Sequence, residues 1–275
     1  MDRVKVSLIV TTHNQLQYSK IMFESLTKYT CHPYELVWVD TLSTDGTREW
    51  LKSPIHKKTI KVLLNQRTGL GQAMNRGFRE CDPESKYIGD LDNDLILTEN
   101  WLTKMVNHME ANPKVAALTM VSTTRNKGVM PYAFNYRNLE LVKQQVRDFS
   151  RKLNKQYKLG KQTGIKITRW CNGCHTLFRR EALEQVNLWN PELWIGEDKD
   201  IVRRLGCKGW NCAIALNVWV YHFQGRTFKK IRREDPEWYE HMLESGRLLD
   251  KLYPKTPAPS LTKTKKKEAL KNEWD

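Results

Sequence analysis

The first 120 residues alternate between short apolar runs and longer segments whose apolar residues recur at helical spacing. Strands are predicted at five apolar, largely β-branched runs: 4–11, 34–40, 60–65, 86–90 and 115–121. Helices are predicted where the apolar side chains share one helical face, over 16–28, 70–80 and from about residue 99. Strands that alternate with helices are typical of βαβ units and a mainly parallel sheet. The pattern therefore predicts an α/β fold.

Polar residues stand at the carboxyl ends of these predicted strands. The first strand closes on Thr11 and His13, the second on Asp40, and the run at 86–90 leads into the acidic segment 90–94. Ligands of such sheets bind at this edge, and grouped carboxylates raise one another's pKa unless a cation lies among them. Oxygen ligands suit Mg²⁺ or Mn²⁺. The sequence therefore predicts a divalent metal site that binds a diphosphate.

The second half adds a candidate base and a candidate nitrogen ligand. Glu197 and Asp198 follow Gly196 at a predicted helix start, and a last apolar strand ends at His222. A carboxylate at a helix start is often only a cap, and a histidine after an apolar strand is often buried in the core. Beside an acidic segment, however, the carboxylates offer a general base and the imidazole offers a metal ligand.

Length and charge predict the domain organisation. The 275 residues carry a formal net charge of +15 and suffice for one large domain, 1–230. We divide it into a nucleotide-binding half (1–121) and an acceptor-side half (122–230), followed by a C-terminal helix at 231–254. The basic segment 255–275 predicts a disordered tail that contacts anionic membrane or acceptor. No apolar run of ~20 residues and no signal peptide is present, which favours a cytoplasmic protein, at most peripheral at the inner face of the membrane.

Six cysteines include two spaced pairs, Cys171 with Cys174 and Cys207 with Cys212. This spacing is compatible with zinc binding, and residues 171–175 match the CxxCH pattern of haem attachment. Haem attachment of that kind requires export, and Cys174 lies in an apolar run where cysteine commonly is a small buried hydrophobe. We therefore predict buried free thiols.

Two other functional classes are compatible with parts of the chain. A nucleic-acid-binding protein would explain the basic charge, but no basic face interleaved with aromatic residues accompanies it, and we expect no nucleic acid partner. A nucleotidyltransferase acting on a sugar phosphate is the stronger alternative, because it shares a nucleotide-binding fold and an acidic metal site. Segment 10–20 lacks the glycine-rich, basic signature on which such enzymes generally rely.

Several segments together resemble inverting family 2 glycosyltransferases with the GT-A fold. In chain order they are TTHN (11–14), VDTLSTDGT (39–47), GLGQAMNRG (69–77), LDND (91–94), NGCHTLFRREAL (172–183), the Glu197-Asp198 pair and His222. LDND resembles the DxD motif of that family. Thr41 stands where the family commonly has an acidic residue or Asn, and Leu42 stands where it commonly has a glycine. Asp40 is therefore the better candidate to contact the nucleotide base. The resemblance implies a Rossmann-like, mainly parallel central sheet flanked by helices, in a single catalytic domain.

The resemblance also implies an activity and a set of site residues. A sugar would pass from a nucleotide sugar, most often UDP-linked, to an acceptor hydroxyl on a glycan, a lipid-linked sugar or a protein, with Mn²⁺ or Mg²⁺ as cofactor. The implied general base, which accepts the proton of the acceptor hydroxyl, is Asp198, with Glu197 as the alternative. The implied metal ligands are Asp92, Asp94 and His222. The implied nucleotide-sugar contacts are Thr11, His13, Asp40, Asn75, Asp92 and Asn93.

Overall fold

The computed structural model describes residues 4–122, 144, 164–171, 173–223 and 235–254. The predicted tail at 255–275 and most of the acceptor-side segment before residue 164 lie outside these ranges. None of the described helices is both long enough and apolar enough to cross a membrane.

The first half forms the strands and helices that its apolar pattern predicts, with bounds shifted by one or two residues. Its strands are β1 (Val6–Thr12), β2 (Glu35–Thr41), β3 (Thr59–Leu64), β4 (Tyr87–Asp92), β5 (Leu95–Leu97) and β6 (Val115–Ser122). Its helices are α1 (Leu16–Tyr29), α2 (Thr47–Lys52), α3 (Leu70–Arg79) and α4 (Trp101–Ala111). Because β4 continues to Asp92, the acidic segment begins inside a strand.

The second half contributes the remaining described elements. They are β7 (Ile165–Thr168), β8 (His175–Arg179), α5 (Arg180–Gln185), α6 (Glu197–Cys207), β9 (Asn211–His222) and α7 (Pro236–Leu252). The predicted helix start at Glu197 is confirmed. Gly196 precedes it with a φ of 78°, a left-handed backbone that a residue without Cβ adopts at little cost. The predicted last strand, ending at His222, is also confirmed.

The nine described strands form one sheet in the order β3-β2-β1-β4-β8-β6-β9-β5, and β7 pairs with β9. The strands from β3 to β4 run parallel, whereas β8 lies antiparallel between β4 and β6. Helices α1 and α4 pack on one face, and α3, α5 and α6 pack on the other. The predicted α/β fold class is therefore confirmed.

Coverage of both faces explains the nearly continuous apolar run of β1. All seven residues of β1 are buried, as expected for a parallel strand with helices on both sides. Leu8 and Val10 belong to the core beneath α1 and α4, whereas Ile9 belongs to the core beneath α3 and α6. Full burial of each such side chain contributes roughly 1.5–3 kcal/mol.

The sheet curls, and the connection between β4 and β5 shows why. Only Asn93 and Asp94 join these strands, yet β5 lies four positions away from β4 in the sheet order. Four strand spacings measure about 19 Å in a flat sheet, whereas the three-residue step from Asp92 to Leu95 reaches at most about 11 Å. The far edge must therefore bend back toward the end of β4. Since Leu95 pairs with His222, this bend brings the end of β9 to the acidic segment.

The cysteines follow the prediction only in part. All six are free, and Cys81, Cys171 and Cys212 are buried. Cys31 and Cys207 are exposed, so the prediction of buried thiols is wrong for these two. Across the described ranges the one cluster of candidate metal ligands contains a single cysteine, so the two cysteine pairs do not assemble a zinc site there.

Candidate active site

Two carboxylates and one imidazole meet where β4 and β9 end and β5 begins. His222 Nε2 lies 2.9 Å from Asp94 Oδ1 and 3.5 Å from Asp92 Oδ2. Burial alone lowers the pKa of the His222 imidazole, but the Asp94 and Asp92 carboxylates outweigh it and raise that pKa above its ordinary value. The pairing of β9 with β5 thus brings an imidazole to the acidic segment.

Cys174 adds a sulfur to this group. Its Sγ lies 3.5 Å from His222 Nδ1, and its carbonyl accepts a 3.0 Å hydrogen bond from the Asp92 amide. Ligand atoms of Asp92, Cys174 and His222 all lie within 4.8 Å of one another. The apolar run around Cys174 predicts a small buried hydrophobe and does not indicate this contact. Its position directly before β8, which pairs with β4, is what brings it here.

Three further carboxyls surround Gly173, which lies in the NGCH segment (172–175). A Cβ built on Gly173 would lie 3.0 Å from Asp198 Cβ, 3.2 Å from Glu197 Oε1 and 3.4 Å from Asp90 Oδ2. The Gly173 amide also points to Asp198 Oδ2 at 3.5 Å. A side chain at this position would push these carboxyls apart by a few tenths of an ångström, whereas glycine lets all three approach one space.

Burial perturbs the acidic groups in this space. Asp90 and Glu197 are 4% and 6% exposed, and desolvation followed by repulsion from neighbouring carboxylates raises both pKa values well above the ordinary range. Desolvation also raises the pKa of Asp92 to about 7, although His222 opposes the shift. Asp198 is half-buried at the first turn of α6. A cation or a hydrogen-bonding ligand would relieve this crowding.

These groups line a cavity of about 320 Å³. Its polar side is built by the ends of β1 and β4 and by the start of α6. Its apolar side is built by α3, by the loop before α6 and by α7. The lining residues are Thr11, Leu70, Met74, Asp90, Asp92, Gly173, Cys174, Ile195, Gly196, Glu197, Asp198, Lys199, Gly246 and Leu249.

Asp40 lies at the neighbouring end of β2 and is completely buried. Its Oδ1 accepts a 3.0 Å hydrogen bond from the Ser43 amide and lies 3.5 Å from Arg48 Nε. Its Oδ2 has no hydrogen-bond partner among the described residues. A buried carboxylate oxygen without a partner is costly, and the N–H group of a nucleotide base could satisfy it.

His13 and Thr11 continue this edge from the end of β1. His13 Nδ1 donates to the Thr41 carbonyl at 2.7 Å, and His13 Nε2 lies 3.2 Å from the Asn14 amide nitrogen, which donates to it. Burial, assisted by the nearby Arg67, lowers the pKa of this imidazole. Both ring nitrogens are thus hydrogen-bonded within the protein, so His13 can contact a ligand through the face of its ring. Thr11 is buried opposite Asp92 and lines the cavity.

Asn75 and Asn93 make their described contacts within the protein. The Asn75 side chain donates to the Trp189 carbonyl at 2.7 Å and accepts from the Trp189 amide at 3.1 Å. The Asn93 amide donates to Ser19 Oγ at 2.8 Å and to the Asn14 carbonyl at 3.2 Å. These contacts hold α3 against a loop and the β4–β5 turn against α1. Ligand binding by Asn75 and Asn93 stays a prediction.

Arg67 was not singled out from the sequence. It pairs with Asp235 at the start of α7, and its guanidinium lies 5.6 Å from the ring centroid of Trp238. Burial lowers the pKa of Arg67 to about 10, so the side chain stays charged at neutral pH. It places a cation close to His13, at the same edge of the sheet as Asp40. No local pattern marks this pairing, because it joins a loop to a distant helix.

Solved structures share this architecture. A mannosyltransferase from Pyrobaculum calidifontis in complex with GDP-Man and Mn²⁺ is 21% identical, with a TM-score of 0.60 over 90% of this chain and 65% of that chain. S. aureus TarS (residues 1–349) in complex with UDP-GlcNAc is 15% identical, with a TM-score of 0.57 over 97% of this chain and 70% of that chain. At these identities the likeness shows the fold, which is that of GT-A glycosyltransferases.

Sequence relatives point the same way. The chain is 23% identical to a poly-beta-1,6-N-acetyl-D-glucosamine synthase of Staphylococcus epidermidis over 194 residues, which are 70% of this chain and 43% of that protein. In the first three curated relatives the chain spans 15%, 35% and 43% of their length. The model of glycosyl transferase family 2 matches residues 7–186, well over half of the 275 residues. The chain belongs to glycosyl transferase family 2.

Proposed function

We propose that this protein is a metal-dependent inverting glycosyltransferase that moves a sugar from a UDP-linked donor to an acceptor hydroxyl. One observation carries the proposal: Asp92, which groups with Asp94 around His222, lines the same cavity as Asp198. A metal-binding group and a candidate base thus meet at one cavity, and metal-assisted inverting transfer uses both.

The residues at the ends of β4 and β9 fit a divalent metal. Asp92 and Asp94 supply carboxylate oxygens, and His222 supplies an imidazole nitrogen. Mn²⁺ binds both kinds of ligand, whereas Mg²⁺ binds nitrogen less readily than oxygen. Desolvation, joined by the charges of Asp94 and Asp198, raises the pKa of Asp92 to about 7, and a bound cation would favour the ionised carboxylate. When bound, the metal would neutralise the diphosphate and stabilise its departure. The mannosyltransferase with the similar fold was solved with Mn²⁺.

Donor binding is assigned to the ends of β1 and β2. Asp40 would accept from the base through its buried Oδ2, while the His13 ring and Thr11 would line the pocket. Arg67 lies close enough to lower the pKa of His13 and would add positive charge toward a diphosphate. The choice of a UDP-linked donor follows the family resemblance and the UDP-GlcNAc complex of TarS.

Asp198 is assigned the role of general base. It would accept the proton of the acceptor hydroxyl while that oxygen bonds to the anomeric carbon from the face opposite the diphosphate. The bond between the anomeric carbon and the phosphate oxygen breaks in the same step, so the electron pair leaves with the nucleoside diphosphate and the configuration inverts. The first turn of α6 favours an ionised carboxylate at this position. Glu197, buried and with a raised pKa, is the fallback.

The test is a panel of UDP-, GDP- and dTDP-sugars with Mn²⁺ or Mg²⁺, using hydrolysis and transfer to glycan, lipid-linked and peptide acceptors as readouts. We expect a UDP-sugar to be consumed, a nucleoside diphosphate to be released, and the product to carry the inverted anomeric configuration by NMR. Release of pyrophosphate would identify a nucleotidyltransferase instead. Full turnover in excess EDTA would contradict metal dependence.

A further inference from the structure

Cys174 contacts both Asp92 and His222, two of the three residues to which metal binding is assigned. Its Sγ lies 3.5 Å from His222 Nδ1, and its thiol hydrogen-bonds to the Asp92 carboxylate. Its carbonyl also accepts a 3.0 Å hydrogen bond from the Asp92 amide. Candidate ligand atoms of the three residues all lie within 4.8 Å of one another. The sulfur therefore either belongs to the metal site or lies directly beside it.

The orientation of the His222 ring separates these two possibilities. Nε2 faces the carboxylates, at 2.9 Å from Asp94 Oδ1 and 3.5 Å from Asp92 Oδ2, whereas Nδ1 faces the Cys174 sulfur. The two nitrogens of an imidazole are distinct, and the hydrogen bond of one decides what the other can bind. Nε2 is thus the nitrogen available to a cation shared with Asp92 and Asp94, and Nδ1 is the nitrogen that contacts Cys174.

This orientation requires an acceptor at Nδ1. A neutral imidazole has one ring nitrogen that donates and one that carries a free lone pair. If the lone pair is on Nε2, the proton is on Nδ1. A thiol can accept weakly through sulfur and donate weakly through S–H, so Cys174 can accept from His222 Nδ1–H while it donates to the Asp92 carboxylate. Hydrogen bonds of this kind fix the tautomer and the ring orientation of metal-binding histidines.

Strand pairing fixes the backbone of both residues but not the imidazole ring. His222 pairs with Leu95 across β9 and β5, and Cys174 directly precedes β8, which pairs with β4. A half-turn of the ring about its Cβ–Cγ bond would leave this pairing intact, yet it would put a carbon atom in the place of Nδ1. His222 is only 7% exposed, so water has little access to replace the sulfur as the acceptor.

Resting on the metal-dependent function proposed above, we infer that Cys174 is a positioning residue for His222. It holds the ring with Nδ1 toward the sulfur, so that Nε2 stays directed at Asp92 and Asp94. It acts through the imidazole and is not itself a metal ligand. This role is separate from that of the two aspartates and the histidine, which the family resemblance implies as ligands.

The experiment measures Mn²⁺ binding in the presence of UDP, with free Mn²⁺ quantified by EPR. The full-chain wild type is compared with Cys174→Ala, Cys174→Ser and Cys81→Ala. Serine keeps a hydroxyl that can accept from His222 Nδ1–H and donate to Asp92, whereas alanine keeps neither function. Cys81 is the matched control, because it is also buried and its thiol donates to the Gly77 carbonyl at 3.4 Å, outside the metal site.

We expect the Mn²⁺ affinity to fall about 10–100-fold in Cys174→Ala and to stay close to that of the wild type in Cys174→Ser and Cys81→Ala. The affinity for UDP without metal should be the same in all four proteins. Equal Mn²⁺ affinity in the wild type and Cys174→Ala would overturn the inference, and so would an equal loss in the serine and alanine variants.

Co²⁺ serves as an absorbing probe that tests the inference in the wild type, whether or not Cys174→Ala folds. We expect no sulfur-to-metal charge-transfer band in the near ultraviolet. Such a band in the wild type, lost in Cys174→Ser, would make Cys174 a metal ligand and would overturn the positioning role. Absence of any Mn²⁺ binding by the wild type would overturn the proposed metal dependence together with this inference, a result distinct from equal binding by the wild type and Cys174→Ala.

Discussion

Replacing Asp198 by asparagine separates catalysis from donor binding. The substitution keeps the size of the side chain and one acceptor oxygen, but the amide cannot accept a proton at neutral pH. Loss of a positioned general base lowers rates by about 10²–10⁴-fold, which corresponds to roughly 3–5 kcal/mol of transition-state stabilisation. We therefore expect kcat to fall by this factor in Asp198→Asn.

The structure indicates that little else should change in this variant. Asp198 is half-buried; its Oδ1 accepts a 2.8 Å hydrogen bond from the Lys199 amide, which an asparagine oxygen can also accept, and its contact with the Gly173 amide is long, at 3.5 Å. The free energy of unfolding should therefore change by less than about 0.5 kcal/mol. The base contacts the acceptor and not the diphosphate, so the donor affinity should stay near that of the wild type.

Asp200→Asn is the control in the same helix. Asp200 is 2% exposed and accepts hydrogen bonds from the Arg204 guanidinium and the Tyr253 hydroxyl. Loss of its charge should lower the free energy of unfolding by roughly 1.5–3 kcal/mol while leaving a competent base in place.

The assays are calorimetry of donor binding and a coupled assay of nucleoside diphosphate release. Wild-type kcat in Asp198→Asn would remove this residue from the mechanism. A rate loss in Glu197→Gln instead would move the role to Glu197. A large loss of donor affinity in Asp198→Asn would show that the carboxylate acts on the donor.

Three further predictions test other parts of the structure. Asp94→Ala should abolish metal-dependent nucleotide binding in titration calorimetry and leave the metal-free affinity as it is; equal affinities with Mn²⁺ and with EDTA in the wild type would contradict this. His56 is fully buried, and desolvation followed by the charge of Lys61 lowers its pKa to about 4 from 6.5. As pH falls, the imidazole therefore takes up a proton in the unfolded chain before it does so in the folded protein, and the free energy of unfolding should drop by about 3 kcal/mol between pH 6.5 and pH 4. In denaturant unfolding at several pH values, His56→Phe should lack this pH-dependent loss. Gly71→Ala should destabilise the fold by about 3 kcal/mol or more, because a Cβ there would lie 2.1 Å from the Asn190 carbonyl oxygen. Gly206→Ala is the control: a Cβ there meets no atom within 4 Å, and the variant should gain up to about 1 kcal/mol of stability. Equal melting temperatures for the two variants would refute the packing argument.

Local patterns were enough to predict the elements and the edge at which the site forms. The strands β1, β2 and β4 are almost completely buried, so their apolar runs stand out. Their parallel pairing brings Thr11, Asp40 and Asp92 to one edge. Gly196 and the acidic residues after it mark a helix start for reasons that involve only chain neighbours. These features could be predicted because their causes lie within a few residues of one another.

Long-range pairing decided the rest. His222 meets Asp94 because a two-residue connection forces the sheet to curl and β5 to pair with β9. Asn75 lies in a motif that resembles a ligand-binding segment, yet its amide bonds to Trp189. The cavity wall at Leu249 exists because distant residues fix α7 in place. Such contacts form when separate apolar surfaces are buried together, and no pattern confined to one segment encodes which surfaces will meet.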